Sequence, residues 1–81
     1  MHLEIITPDQ RVFSGEVDSV KFPGSKGSFQ VLNNHAPLIS LLERGPITFR
    51  TAQNEQSVMV DGGMVEVLNN KIIVLAEAVL S

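Results

Sequence analysis

The chain contains no cysteine, no tryptophan and no tyrosine, and each absence removes a class of function. Without cysteine there is no disulfide framework, no thiolate nucleophile and no thiolate metal ligand. The aromatic residues are four phenylalanines in strand-like stretches, so the chain lacks an obvious set of exposed rings on which nucleic-acid bases could stack. We expect the phenylalanines to lie in the core.

Positive charge is also sparse and scattered. Six Lys and Arg residues stand against nine Asp and Glu residues, which gives a formal net charge of −3. No basic stripe follows from this arrangement, so the composition argues against nucleic acid as a partner. Apolar runs such as residues 72–76 are far shorter than the ~20 residues that a membrane-spanning helix needs. We therefore expect neither nucleic-acid binding nor direct membrane insertion.

Residues that could carry catalysis or hold a metal ion are few and badly spaced. The two histidines, His2 and His35, lie far apart in the sequence, whereas metal sites usually include a close pair such as H-x-x-x-H. Ser40 lies five residues after His35, a spacing that puts the two side chains on opposite faces of an ideal strand. A nucleophile needs its base within hydrogen-bonding reach. The sequence predicts no metal site, no cofactor and no active site.

What the sequence does have is a period of two. Leu3 and Ile5, for example, alternate with His2 and Glu4, and similar short stretches recur along the chain; this alternation is typical of half-buried strands. Turn-forming pairs separate them, of which Asn69-Asn70 is the strongest hairpin signal because Asn tolerates positive φ. The pattern predicts an all-β fold, a flattened β-sandwich or barrel of about eight to ten short, mostly antiparallel strands in two sheets.

Three local breaks interrupt this pattern. Val17 and Val20 are three residues apart, so a strand that buries both must change face, which indicates a β-bulge. Gly62-Gly63 indicates a tight turn or a bulge. Residues 24–28 are rich in glycine and serine but lack the order G-x-x-x-x-G-K-[ST] of a phosphate-binding loop, and no helical pattern follows them. They predict a hairpin loop.

Some stretches, notably residues 36–42 and 71–76, are apolar at positions of both parities. A thin sandwich cannot bury both faces of every strand. Such a stretch is therefore either a central strand covered by loops or part of an apolar surface covered by a partner protein. The residues alone leave these two interpretations open.

Four sequence blocks together resemble the ε subunits of F-type ATP synthases. Residues 27–40 read GSFQVLNNHAPLIS, similar to the family motif G-x-L-G-I-x-x-G-H-A-P-L-[IL]-[ST]. The other blocks are LERGPI at 42–47, GGMVEV at 62–67 and IVLAE at 73–77, and the order and spacing hold over nearly all 81 residues. The chain is identified as a member of this family, a single β-sandwich domain over residues 1–81 without the C-terminal helical hairpin that many members carry.

The chain departs from the family motif at Gln30 and Asn34, which stand where the motif has glycine. Asn34 can adopt a left-handed conformation, so we expect the turn before His35 to be retained. Ser28 stands where many relatives carry an acidic residue. The inhibitory and ATP-sensing behaviour of the family resides in the C-terminal hairpin, and we expect a chain that stops at Ser81 to lack it.

The resemblance implies a function without chemistry. It implies a non-catalytic subunit of the central stalk, or rotor, peripheral on the cytoplasmic face of the energy-coupling inner membrane. Such a subunit links the γ subunit to the c-ring and transmits torque for proton-driven ATP synthesis. Matched position by position, the γ-facing residues of the family fall on Thr7, His35, Leu38, Ser40 and Leu42, and the loop that faces the polar loops of the c-ring falls on Lys26, Gly27 and Ser28.

Two partners would place a heavy demand on so small a surface. A globule of 8.8 kDa has about 4,800 Å² of accessible surface. A standard interface takes about 800 Å² from each partner, so two of them would cover about a third of the molecule. That demand would account for apolar residues in excess of what a thin core can bury.

A second interpretation comes from a different class. Lipoyl and biotinyl carrier domains are also small, acidic and all-β, and they carry a modified lysine at the tip of a hairpin. Lys71, which follows Asn69-Asn70, is the candidate in this chain. The modified lysine is normally preceded by Met or Asp rather than by Asn, which disfavours this interpretation, and a cofactor mass added to Lys71 would support it.

Overall fold

The structure is a computed structural model that describes residues 1–52 and 54–80. All the regular elements of these residues are β-strands, and none of them forms a helix long and apolar enough to cross a membrane. In chain order the strands are β1 (His2–Ile6), β2 (Arg11–Glu16), β3 (Ser19–Phe22), β4 (Phe29–Leu32), β5 (Leu38–Arg50), β6 (Glu55–Leu68) and β7 (Lys71–Ala76).

The strands form one continuous hydrogen-bonded sheet of seven strands in the order β2-β1-β7-β6-β5-β3-β4. All neighbours are antiparallel except β1 and β7, which run parallel. The predicted all-β class is therefore confirmed. The strand count is lower than expected because β5 and β6, with 13 and 14 residues, each run through both layers and join them into one sheet.

The sheet folds over on itself, and two phenylalanines show this directly. Phe13 lies on β2 and Phe49 on β5, which are four positions apart in the order of the sheet. In a flat sheet the two strands would be about 19 Å apart. The ring centroids are 4.4 Å apart, so β2 and this part of β5 face each other across a core. A single sheet thus forms the two layers of a flattened sandwich.

The fold-over coincides with a break in the pairing of β5 with β6. The pairing passes from Leu42↔Gly63 to Arg44↔Asp61 without a change of register, and it skips one residue on each strand, Glu43 and Gly62. Gly62 and Gly63 have φ values of 93° and 147°, which residues with a side chain rarely adopt. Gly62-Gly63 is therefore neither the predicted tight turn nor a bulge, because no extra residue is inserted and β6 continues through it. It is a gap in the ladder, where two glycines with positive φ let the strand bend.

Both layers contribute to one hydrophobic core, and the described residues include no buried polar side chain. The accessible surface of 4861 Å² agrees with the value expected for a compact chain of this mass. Phe22 and Phe49 are fully buried, and Phe13 and Phe29 pack against the core. The buried residues are Leu3, Ile5, Val17, Val20, Phe22, Val31, Leu42, Ile47, Phe49, Val60, Val65, Val67, Ile72, Val74 and Ala76.

Three asparagines adopt the positive φ values that tight turns require. Asn69 and Asn70 have φ values of 50° and 61° and connect β6 to β7, as the hairpin signal predicts. Asn34, with φ of 62°, keeps the left-handed conformation expected before His35. The prediction of a β-bulge between Val17 and Val20 is wrong, because the two valines do not lie on one strand: β2 ends at Glu16 and β3 begins at Ser19. The chain changes strand there, which lets both valines be buried.

Gly63 is the position at which the bend is most sensitive to a side chain. Its φ is 147°, and an added Cβ would collide with the carbonyl oxygen of Leu75 on β7. We expect Gly63→Ala to lower the free energy of unfolding by about 3 kcal/mol or more, measured by urea denaturation. Gly27→Ala is the control, because Gly27 has φ of 120° with no atom within 4 Å of the added Cβ. It should lose only about 1–2 kcal/mol from backbone strain. Equal losses in the two variants would contradict the collision.

Candidate docking surface

The outer side of one layer carries a group of apolar side chains that no other described part of the chain covers. Successive residues of a strand point to opposite faces. Val65 and Val67 are buried, so Met64, Glu66 and Leu68 point outward. The same alternation holds on the neighbouring strands. We call the outward apolar set the apolar face: Ile6, Ile39, Leu41, Met64, Leu68, Ile73 and Leu75.

Strand pairing aligns these residues in rows. Leu41, Met64 and Leu75 lie opposite one another on β5, β6 and β7, and Ile6 of β1 continues the row. Directly opposed side chains on adjacent strands stand about 5 Å apart. The exposed fractions of Leu41, Met64 and Leu75 are 64%, 38% and 48%. The row is therefore a continuous apolar stripe in contact with solvent.

The extent of the apolar face decides between the two interpretations left open by the sequence. Its seven apolar residues lie on four neighbouring strands, β5, β6, β7 and β1, and Leu41, Met64, Leu75 and Ile6 form one unbroken row across them. Contiguous apolar surface on a soluble protein is often functional. β7 and the first half of β5 place one face in the core and the other in solvent, and no loop among the described residues covers the solvent side. The partner-covered surface is the interpretation that fits.

The residues that the resemblance assigns to a γ interface do not all point outward. Leu42 is 6% exposed and belongs to the core, and Leu38 is half-buried against it. The outward side chains of this strand are Ile39 and Leu41, with exposed fractions of 67% and 64%. In the free chain Leu42 is therefore a core residue and does not present its side chain on the surface. Shifting by one position along a strand moves a side chain to the other face.

Thr7 lies at the end of the apolar stripe. It shares an open groove of about 260 Å³ with Ile6, Pro8, Leu75 and Ala76. Its hydroxyl donates to the carbonyl oxygen of Gln10 and accepts from the Gln10 backbone N–H, each at 3.2 Å. The turn after β1 thus holds Thr7 in place beside the apolar face.

Ser40 lies beside the loop assigned to the c-ring. Both line a groove of about 300 Å³ formed by Gly24, Ser25, Lys26, Gly27, Phe29, Ile39, Ser40 and Leu41. The loop is the predicted hairpin loop, in which the Gly27 N–H donates to the Gly24 carbonyl oxygen at 3.0 Å. Ser28 faces a different groove, with Lys21, Pro46 and Thr48. The structure therefore brings Ser40 together with Lys26 and Gly27 and separates them from Ser28.

His35 lies at the opposite end of the strands from Thr7. The backbone N–H of Asn34 donates to the side-chain oxygen of Asn70 at 2.8 Å, which ties the turn before His35 to the β6–β7 hairpin. Thr7 lies beside the other end of β7. The six residues of β7 separate these ends by about 17 Å. His35 and Thr7 do not meet but mark two ends of the apolar face.

Among the described residues, no side chains are arranged as a metal site or as a catalytic group. These residues contain no group of three or more His, Cys, Asp or Glu side chains placed to hold a metal ion. His2 is on the surface, where its Nδ1 lies 3.3 Å from Glu16 and its Nε2 lies 3.3 Å from the hydroxyl of Ser14. His35 lies elsewhere, with its Nδ1 2.7 Å from the carbonyl oxygen of Ala36. What the surface supports is binding through the apolar face.

Residues 1–81 match the family model of the ATP synthase, Delta/Epsilon chain, beta-sandwich domain. The chain belongs to this ATP synthase family. It is 41% identical over 80 residues to the ATP synthase epsilon chain of Rhodopseudomonas palustris (strain BisA53), covering 99% of this chain and 59% of the relative. It is 45% identical over 75 residues to that of Maridesulfovibrio salexigens, covering 93% of this chain and 53% of the relative. The chain thus spans little more than half the length of these relatives.

Two solved structures share the fold. A chain of the Tetrahymena thermophila mitochondrial ATP synthase central stalk and c-ring matches with a TM-score of 0.85 at 15% identity, covering 99% of this chain and 65% of that one. A chain of the Euglena gracilis mitochondrial ATP synthase OSCP/F1/c-ring matches with a TM-score of 0.89 at 16% identity, covering 96% and 51%. Such low identities show the fold alone, and the fold is the flattened sandwich formed here by one sheet.

The family match overturns the carrier-domain interpretation of Lys71. The structure gives a second reason, since Lys71 is not at the tip of the hairpin. It is the first residue of β7 and pairs with Leu68 in the ladder, whereas the turn itself consists of Asn69 and Asn70.

Sequence reasoning missed Ile39, Leu41, Met64 and Leu75 as surface residues. Residues 38–42 give no alternation to read, because Leu38, Ile39, Leu41 and Leu42 are all apolar. For Met64 a signal was available, because Val65 and Val67 alternate with Met64 and Glu66 as in a half-buried strand.

The register of β5 can be tested with two adjacent leucines. We expect Leu42→Ala to lower the free energy of unfolding by about 2–5 kcal/mol, because it removes a buried side chain and leaves a cavity. Leu41→Ala should change it by no more than about 0.5 kcal/mol, because Leu41 is on the surface. Urea denaturation of both variants measures the difference. A greater loss in Leu41→Ala would show that the register is assigned to the wrong face.

Proposed function

We propose that this chain is a non-catalytic, structural part of the central stalk of an F-type ATP synthase. In this proposal it joins the γ subunit to the c-ring and transmits torque between them for proton-driven ATP synthesis. The observation that supports it best is the apolar face on an epsilon-type fold, because neighbouring apolar side chains in contact with solvent suit a protein partner better than water. The chain would be peripheral on the cytoplasmic face of the membrane, held there by its partners.

The γ subunit is proposed to cover the apolar face. Protein interfaces combine an apolar centre with a polar rim. Leu41, Met64 and Leu75 form such a centre, while Thr7 lies at one end and Ser40 lies in the groove beside Ile39 and Leu41. We therefore propose Thr7 and Ser40 as rim residues, and Ile39 and Leu41, rather than Leu38 and Leu42, as the apolar contacts of β5.

The c-ring is proposed to contact the loop that connects β3 to β4. Lys26, Gly27 and Ser28 are all exposed there, and a small polar loop suits polar loops on a partner. Lys26 and Gly27 share their groove with Ile39 and Leu41. The two proposed contacts are therefore neighbours on the surface, so one compact domain could be held between the two partners.

A rotor part must be stiff between its two attachments, and backbone links provide this. The Ser25 N–H donates to the Leu41 carbonyl oxygen at 3.0 Å, and the Glu43 N–H donates to the Pro23 carbonyl oxygen at 2.9 Å. The loop is thus bonded directly to β5, the strand that also carries part of the apolar face. A force applied at the loop would reach that face through a single strand in a close-packed sandwich, which deforms little.

Site-specific cross-linking in the assembled complex tests the two contacts. Because the chain has no cysteine, one introduced cysteine is a unique attachment point for a photoreactive maleimide. We expect the label at Leu41→Cys to cross-link to γ and the label at Lys26→Cys to cross-link to the c subunit. Asn54→Cys, in the exposed turn between β5 and β6, is the control and should give neither product. Failure of both labels to reach these subunits would reject the proposal.

Weakening the apolar face should weaken γ binding without unfolding the chain. We expect Ile39→Ser combined with Leu41→Ser to raise the Kd for γ at least about tenfold, or about 1.4 kcal/mol, because both side chains are largely exposed in the free chain. Calorimetric titration with γ measures the change, and urea denaturation checks the fold. Leu32→Ser is the control, since Leu32 is 54% exposed on β4 at the far edge of the sheet. An equal effect at Leu32 would argue against the assigned face.

A further inference from the structure

Glu66 stands in the middle of the apolar face. Across the sheet it lies directly opposite Ile39 on β5 and Ile73 on β7. Along β6 its neighbours on the same side are Met64 and Leu68. All four are apolar, and Ile39, Met64 and Leu68 are 67%, 38% and 47% exposed. A single carboxylate is thus surrounded by four apolar side chains on the surface proposed for docking.

This carboxylate has no cation of its own among the described residues. In the same row, Glu4 lies 3.6 Å from the Arg11 guanidinium, whereas Glu66 takes part in no ion pair or side-chain hydrogen bond within residues 1–52 and 54–80. Lys71 lines the same shallow groove as Glu66 but forms no ion pair with it. Water solvates Glu66 in the free chain, because the side chain is exposed.

Docking on the apolar face would take that water away. A carboxylate moved out of water without a counter-charge strongly opposes association, whereas a close cation with good hydrogen-bond geometry offsets the loss. An apolar face with an unpaired acid at its centre is therefore complementary to an apolar surface with a base at its centre.

We propose that the partner surface covering the apolar face presents a basic side chain to the Glu66 carboxylate. This inference rests on the proposed function in taking γ as the occupant, and it adds the chemistry by which γ is recognised. A guanidinium fits best, since it can donate two parallel hydrogen bonds to a carboxylate. An ammonium group would supply the same charge with less geometric demand.

The same charge argues against a second copy of the chain as the occupant. A two-fold symmetric pairing places the same patch on both sides of the interface. Centred on this face, it would bring two Glu66 carboxylates together, and like charges at close range oppose each other. Self-association through the face is therefore disfavoured by the residue that favours a basic partner.

Two substitutions at one position separate a paired carboxylate from an unpaired one. Glu66→Gln keeps the shape and removes the charge, and Glu66→Leu makes the face wholly apolar. With a basic partner, both should raise the Kd for γ about tenfold or more, and the salt dependence of binding should become shallower. Without one, Glu66→Leu should instead tighten binding, because an unpaired buried carboxylate has been removed. Whether the Kd of Glu66→Leu for γ rises or falls therefore shows whether the Glu66 carboxylate is paired in the complex.

The experiment is a calorimetric titration of the chain and its variants with the γ subunit of the same ATP synthase. Asp18→Asn is the matched control, because it removes one negative charge from the exposed link between β2 and β3, and its Kd should stay within about twofold of the parent. Unfolding midpoints in urea verify that each variant is folded.

The two proposals fail in different ways. If the parent chain binds γ and the Glu66 variants bind equally well or more tightly, the basic counterpart is refuted and the γ contact stands. A parent chain that does not bind γ refutes both. Sedimentation of the free parent chain provides a further check, because a dimer of the parent that Ile39→Ser combined with Leu41→Ser dissociates would identify a second copy as the occupant and overturn the inference.

Discussion

The ladder between β5 and β6 is the interaction on which the rest of the molecule depends. It runs from Leu38↔Val67 to Arg50↔Glu55 and passes through both layers. All other strands are attached to its two sides, with β7, β1 and β2 beyond β6 and with β3 and β4 beyond β5. Because the ladder is interrupted at Glu43 and Gly62, it can bend, and the bend brings the two ends of one sheet face to face. Without that bend Phe13 and Phe49 could not be in contact, and the core would be covered by one layer of the sandwich only.

A core made by one folded sheet is thin, and its thinness determines the surface. Each strand buries one side, and a chain of this size has no helix among its described residues to lay over the other. On most strands the outer side is polar, as in β3, where Ser19 and Lys21 alternate with buried Val20 and Phe22. On β7 and the first half of β5 it is apolar. The strands that hold the fold together are therefore also those that need a partner, so rigidity and attachment come from the same residues.

The sequence was sufficient to predict the class of fold and most of its turns, because both depend on local physics. Alternation identifies strands, and the positive φ of Asn34, Asn69 and Asn70 is a property those side chains tolerate. The lengths of the strands, and which side chains of each strand point to the core, could not be predicted in the same way. Gly62-Gly63 reads as the end of a strand, yet β6 continues through it. The groove that Ser40 shares with Lys26 and Gly27 arises from pairing between distant segments, which no local pattern encodes.

Apolar area and charge make different contributions to a surface of this kind. The apolar face can supply affinity, but apolar area alone does not discriminate between partners. A wholly apolar surface would also favour association of free chains with one another. A carboxylate at its centre adds a requirement that few surfaces meet, since every partner without a base must bury Glu66 unpaired. The requirement costs nothing before assembly, because the exposed side chain is solvated. Placing this unpaired acid between Ile39 and Ile73, rather than at the rim where water would screen it, gives that charge its largest influence on which partner binds.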